Sequence, residues 1–399
     1  MYSPSARLLE KYANVLINFA LNSGKGIKKN DTVYLVTQTP GLPLTKVIYR
    51  AILESGGNPL LNIIDDDFKL LHLQHASRKQ LSYFPDKYYR GLADEIDHWV
   101  RILADEDPMY LKKADPRKIM THKKSMKPFR DWLDKKEDAG IFTWTLCLSG
   151  TEGQAKEAGL TQKEYWQQIV QACFLNETDP IAKWKSVMAH MKRILKTINA
   201  MPINKLHLKA PHTDLWITVG EKRKWLGGSG RNIPSFEIFT SPDWRGTQGT
   251  VFFDLPLYVY GNIIRDITLE FRNGKIVKAK ARKNEKLLLE MIKQKNADKT
   301  GEYSLTDRRF SKINKFMANT LYDENFGGKY GNTHLAIGKS YHDACSAEPS
   351  KMSVEEYARL GFNDSVEHTD IIATSDREVT ALLKDGSTKQ LYAGGEFQI

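Results

Sequence analysis

In the stretch SVEHTD (365–370), an imidazole and a carboxylate, His368 and Asp370, stand two residues apart. On an extended strand, positions i and i+2 point to the same face about 6.5–7 Å apart, so both could serve one site. The pair alone carries little weight. With 10 His and 48 Asp plus Glu among 399 residues, composition produces such a pair about once, and it occurs twice, at His212–Asp214 and His368–Asp370. The second pair has company. Glu237 in NIPSFEIF, Glu302 in TGEYSL, Glu324 in LYDEN and His334 in GNTHLAIG each lie in or beside a short apolar segment with Gly, Pro or Asn nearby. That is the setting of strand ends and tight turns.

Four carboxylates and two imidazoles suit two divalent ions better than one. A single catalytic zinc takes three protein ligands. Two ions about 3.5–4 Å apart call for bridging carboxylates and terminal His and carboxylate ligands, with room left for water. Oxygen and nitrogen donors without thiolate point to Zn, Co or Mn. Spacing leaves blander readings open, because a lone Glu on a β-rich domain is usually a surface or ion-paired group and a His in an apolar run is often a hydrogen-bonded core residue. Other catalytic devices are missing. There is no Gly-x-x-x-x-Gly-Lys-Ser/Thr loop, no complete Gly-x-Gly-x-x-Gly, no Gly-x-Ser-x-Gly elbow and no His-Glu-x-x-His helix, which weakens nucleotide-driven, serine-hydrolase and single-zinc protease readings.

The elements that would position these groups fall into two textures. The first half alternates helix-period and apolar segments: a helix over 6–24, a strand at 31–38, a helix at 42–57 and a strand at 58–67. A polar helix around 68–84, a strand near 98–105, a basic helix at 115–136 and a strand at 141–148 follow, then helices at 161–176 and 180–201. Continuous apolar strands separated by helices predict a largely parallel, helix-covered sheet. After about residue 202 short strands dominate, with Asn273-Gly274 and Asp385-Gly386 as hairpin turns. The expected fold is α/β: an N-terminal parallel-sheet domain (1–201) followed by a β-rich α+β domain (202–399) carrying the metal site.

Bulk properties narrow the class further. Hydrophobic residues at 41% and charged residues at 27% are ordinary for a globular protein. The first twenty residues are amphipathic, so a secretory signal is not expected, and no run reaches the roughly 20 apolar residues of a membrane span. Cys147, Cys173 and Cys345 are odd in number and widely spaced. They suggest neither a disulfide framework nor a thiolate zinc site, and they fit a reducing cytoplasm. The net charge of +11 raises nucleic acid as a partner. The densest basic stretch, 275–295, however, alternates Lys with apolar residues and then reads as an amphipathic helix, so nucleic acid is not the expected partner.

The strings NIPSFEIFTSP, GEYSL, LYDEN, THLAIGKSY and SVEHTD, in this order, together with LEKYANVLI, TDLWITVG and GTVFFDLPLYVYGNIIRDITLEFRNGKIV, resemble the aminopeptidase T/aminopeptidase S family of dinuclear metallopeptidases. The likeness covers nearly the whole chain. It implies metal ligands at Glu237, Glu302, Glu324, His334, His368 and Asp370, an active-site tyrosine at Tyr341, and a cytoplasmic homodimer that removes N-terminal residues from peptides. Three departures flank the ligands. Phe236 replaces an expected small residue, FGGKYGNT adds length between Asn325 and His334, and HTDIIAT lacks an expected aromatic and terminal Gly. His212 has no metal role in the resemblance and is expected to be structural, while His342 and Asp343 are expected beside the pocket.

These residues lead to an expected mechanism in which water, activated at two ions, attacks the scissile carbonyl. Glu302 would relay the proton, and the Tyr341 hydroxyl would donate to the developing oxyanion. Two other function classes stay open at this point: a dinuclear phosphoesterase with similar ligands, and a non-enzymatic basic nucleic-acid-binding protein.

Overall fold

A computed structural model describes residues 2–399. The chain forms two compact units. One holds Met1–Ser186, Ser229–Ser235 and Tyr260–Asn262, and the other holds Val187–Gly228, Phe236–Val259 and Ile263–Ile399.

The first unit is built on four parallel strands lying side by side in the order Asn58–Ile64, Thr32–Gln38, His98–Leu103, Thr143–Leu148. Thr32–Gln38 is buried at all its positions, which is why its sequence runs apolar instead of alternating. One face of the sheet, through Tyr34 and Val36, packs on Phe129 and Leu133 of the covering helices. His98 is buried in this sheet, with Nε2 2.8 Å from Asp31 Oδ2 and Nδ1 2.8 Å from Thr143 Oγ1.

The helices differ from expectation in detail. The basic segment is two helices, Pro116–Ser125 and Lys127–Asp138. Pro128 lacks an N–H and cannot sit inside a continuous helix, but it is tolerated in the first turn of a new one. The segment near 68–84 is Asp66–His75 followed by Arg78–Leu81, where Ser77 and Gln80 cap a fresh start reciprocally. A further helix, Asp86–Glu95, was not expected.

The second unit contains an eight-stranded sheet and a five-stranded one. Asn273 and Gly274, at φ of 50° and 76°, join Ile267–Arg272 to Lys275–Lys280. Two consecutive left-handed residues make the turn that matches strand twist. The five-stranded sheet runs His368–Ala373, Asn332–Gly338, Thr300–Thr306, Glu237–Thr240, Leu226–Gly227, each pair antiparallel.

Candidate metal centre

Register alone determines which side chains of the five-stranded sheet meet. Glu302 stands opposite Ala336, which stands opposite Asp370; His334 lies between Ser304 and Ile372; Gly338 faces His368; and Thr306 faces Glu237. Directly opposed residues share a face, as do i and i+2 on one strand. Glu237, Glu302, His334, His368 and Asp370 therefore project from one face. The alternate residues Ile238, Tyr303, Leu305, Leu335, Ile337 and Ile371 are buried and point the other way. Their burial holds the strands in this register, because a one-residue slip would exchange the two sets. Between the two carboxylates of the central row sits only the methyl group of Ala336. Gly338 has no room for more: at φ +103° its Cβ would lie 2.1 Å from the Glu367 carbonyl oxygen.

The result is a compact cluster. His334 Nε2 lies 3.1 Å from Glu302 Oε1, 3.4 Å from Glu237 Oε2 and 3.8 Å from Asp370 Oδ1. His368 Nε2 lies 3.4 Å from Asp370 Oδ1 and 3.7 Å from Glu302 Oε2. Two trios have their ligand atoms within 4.8 Å of one another, Glu237–Glu302–His334 and Glu302–His368–Asp370. Glu302 belongs to both and offers a different oxygen to each. The His368 ring is oriented from behind, where Nδ1 meets the Lys339 carbonyl oxygen at 2.8 Å. Donation there turns Nε2 toward the carboxylates, the second-sphere arrangement of metal-binding histidines.

Glu324 arrives from another element, at the end of the short helix Thr320–Asp323. Burial raises its carboxyl well above the usual range, and the charges of Glu237, Asp370, Glu302 and Asp323 push it further the same way. The carboxylate thus lies near enough to feel those charges, although neither of the two ligand trios includes it. The eight residues between Asn325 and His334 do not carry it away. They fold into a loop pinned by Gly327 N–H to the Ile313 carbonyl (2.8 Å) and by Asn332 Nδ2 to the carbonyls of Glu324 (2.9 Å) and Phe326 (2.7 Å). Phe236 belongs to the buried core and does not share Glu237's face, so this departure from the family pattern is a packing change.

Tyr341 completes the rim, its ring centroid 4.8 Å from His368 and 5.9 Å from Phe239. Its backbone N–H donates to Ser241 Oγ at 2.9 Å. Burial, followed by the nearby carboxylates Glu302, Asp370, Glu237 and Glu324, raises its hydroxyl well above the ordinary tyrosine value, so it is a proton donor at neutral pH.

Burial alone would lower both imidazoles, yet His334 is raised to about 9 by its hydrogen bond to Glu302 and the charges of Asp370, Glu302 and Glu237. His368 is raised to about 9 as well, chiefly by Asp370. Burial works against ionisation of Asp370 too, but the two imidazoles overcome it and hold the carboxyl low. Several acidic groups removed from water cost several kcal/mol each unless neutralised. Here imidazole protons supply the positive charge that divalent cations would supply better. The donor set fits such cations. It holds oxygen and nitrogen only, converges from one sheet face and one helix end, and includes a buried Asp370 Oδ1 that makes no hydrogen bond among the described residues.

The other motifs lie elsewhere. His212 sits in the tight turn between Ile203–Ala210 and Thr213–Thr218, at φ 57°, edge-on to Phe252. Asp214 instead pairs with His207, 2.8 Å away. His342 stacks on Tyr357 at 3.8 Å, and Arg245 is held by Asp243 of its own strand. Sequence reasoning passed over the groups that brace the cluster. Asn325 Oδ1 receives the Phe236 N–H at 2.6 Å. Asn363 donates through Nδ2 to the Gly338 carbonyl at 2.6 Å, its backbone N–H donates to Ser340 Oγ at 2.9 Å, and its carbonyl accepts the Ser340 N–H at 2.8 Å. Both are single amides in ordinary loops, and only the register of their strands reveals what they hold.

The chain matches the model of the thermophilic metalloprotease (M29) family over residues 5–397. It is 28% identical to aminopeptidase AmpS of Bacillus subtilis, over 96% of this chain and 98% of that one. It is 26% identical to aminopeptidase T of Thermus thermophilus, over 98% and 99%. The solved structure of wild-type AmpT from Thermus thermophilus superposes with a TM-score of 0.83 at 24% identity, covering 98% of this chain and 99% of that one, so the two share a fold.

Proposed function

The chain belongs to the thermophilic metalloprotease (M29) family and is a metallo-aminopeptidase, and we propose that two divalent cations from the Zn, Co and Mn group occupy its buried cluster. Glu237, Glu302, Glu324, His334, His368 and Asp370 would hold them. The observation that carries this reading is the pair of ligand trios sharing Glu302. Its Oε1 turns to one imidazole and its Oε2 to the other, so Glu302 would stand at the junction of the two groups of ligands. When bound, the cations supply Lewis acidity and bring the pKa of water toward neutrality.

The remaining chemistry belongs to the chain. Glu302, at the junction of the trios, takes the proton of the attacking water and passes it to the leaving amine. Tyr341, kept protonated by its surroundings, donates a hydrogen bond to the carbonyl oxygen as negative charge grows there. The carboxylates draw the free α-amino group of the peptide to the same face, which restricts cleavage to the N-terminal residue. The protein would act in the cytoplasm as a homodimer. Three buried free cysteines support the compartment, and family resemblance supports the assembly. Among the described residues no helix is long and apolar enough to cross a membrane.

Chelator-stripped protein assayed with amino-acid anilides and aryl phosphates, before and after adding Zn, Co or Mn, tests the reading. Restored anilide cleavage with inert phosphates is expected. Full activity in metal-free protein, or preferential phosphate hydrolysis, would overturn it.

A further inference from the structure

The parallel sheet of the first unit holds a second polar cluster that plays no part in the metal chemistry. The sheet order reverses between Thr32–Gln38 and His98–Leu103, since the next strand in sequence after each lies on opposite sides. Loops leaving the carboxyl ends of two such strands diverge, and in open α/β sheets ligands bind in the crevice between them. Polar groups converge at these ends. Gln38, the last residue of its strand, accepts the Ala104 N–H at Oε1 (2.8 Å), and its Nε2 donates to both Asp66 (3.2 Å) and Asp105. One neutral amide thus serves two carboxylates. Burial and then the Asp105 charge raise Asp66 above the usual carboxylate range, outweighing the Gln38 amide, the Lys69 charge and the Tyr110 hydroxyl, which pull the other way.

Two cations stand nearby without a direct ion pair to either carboxylate, although Asp66 and Asp105 both act on Lys69 through space. Burial and then Arg101 lower Lys69, and its ammonium lies 5.5 Å above the ring of buried Tyr110. Arg101 lies on the face of the sheet that carries Val36 and Gln38, since it pairs in register with Val36. Among the described residues the side chains of Lys69 and Arg101 make no hydrogen bond and no ion pair within 4.0 Å, although both sit in half-buried positions. Half-buried cations and carboxylates that fail to satisfy one another are unfavourable unless a further group completes them.

We infer that this switch-point cluster is a binding site for a small zwitterion with the chemistry of a free α-amino acid. Its carboxylate is bound by Lys69 and Arg101 and its ammonium by Asp66 and Asp105. The arrangement lies wholly within the first unit and does not depend on the metal reading. An inorganic anion would satisfy the cations and worsen the environment of the carboxylates. A simple amine would do the reverse. Only a ligand carrying both charges a few ångströms apart answers both halves.

Calorimetric titration of the full-length protein with L-leucine, its deaminated analogue 4-methylpentanoate, and inorganic phosphate tests this, in wild type and in Glu237→Gln to separate it from binding at the metal centre. The inference expects saturable leucine binding that persists in Glu237→Gln, with the deaminated acid and phosphate each at least tenfold weaker. Lys69→Met or Arg101→Met should weaken leucine at least tenfold. Asp66→Asn should erase most of the preference for leucine over 4-methylpentanoate, a readout that a folding defect would not produce. Leucine binding that vanishes in Glu237→Gln, phosphate binding tighter than leucine, or unchanged affinity in folded Lys69→Met and Arg101→Met would each overturn it.

Discussion

Each unit buries a histidine on a strand beside a carboxylate, and the two could scarcely differ more in consequence. His98 has a use for each ring nitrogen, Asp31 on one side and Thr143 on the other. One acid, one hydroxyl and one imidazole close a hydrogen-bond account with nothing left over. His334 has Glu302, Glu237 and Asp370 crowded on Nε2, while Nδ1 makes no hydrogen bond among the described residues. The lesson is that a buried His–carboxylate contact does not mark a metal centre. An excess of converging negative charge over the hydrogen bonds available does.

Mutation can break this contrast most forcefully. Glu237→Ala and His368→Ala should reduce peptide hydrolysis to background and remove bound metal, whereas His98→Ala should keep both. The cost of His98→Ala should instead appear in thermal or denaturant unfolding, about 1–3 kcal/mol for the two lost hydrogen bonds, since Asp31 Oδ2 keeps the Lys28 N–H and Thr143 Oγ1 the Asn22 N–H. Loss of metal in His98→Ala would erase the distinction. Next in size, Tyr341→Phe should lower kcat by about 10²-fold, typical for one oxyanion donor, with KM and metal content little changed. A KM effect alone would make Tyr341 a substrate contact.

Acidity sharpens the same contrast. In the metal-free protein, His334 and His368 are raised from 6.5 to about 9. Their protonation therefore stabilises the fold fully below pH 6.5, and that contribution disappears as pH rises through about 9. Cations must displace these protons, so metal affinity should increase between pH 6.5 and 9, with proton release on binding measurable by calorimetry in two buffers. Binding that is flat with pH would remove the imidazoles from the site. The smallest expected effect is at His212. Despite the repeated His-Thr-Asp, His212→Ala should leave activity within about twofold, as surface turn substitutions do.

Much of this was legible in the sequence because strand chemistry is local. The i, i+2 spacing of His368 and Asp370, the Asn273-Gly274 turn and the apolar run of Thr32–Gln38 each state their geometry within a few residues. The resemblance then identified which carboxylates to group. What lay beyond the sequence depended on register and on distant partners. Nothing near Ala336 says that it stands between Glu302 and Asp370, and nothing near Asn363 says that it braces the turn behind His368. The helix Asp86–Glu95 escaped because its apolar positions are few, with Ala93 its only fully buried residue. The basic helix was read through its own break because Lys and Arg favour helix on both sides of Pro128.

The most direct test of the two-ion account is anomalous diffraction from crystals grown with Mn or Zn. The account predicts two peaks about 3.5–4 Å apart, bounded by Glu237, Glu324, His334, His368 and Asp370 with Glu302 between them. A single peak, or peaks away from these side chains, would contradict it.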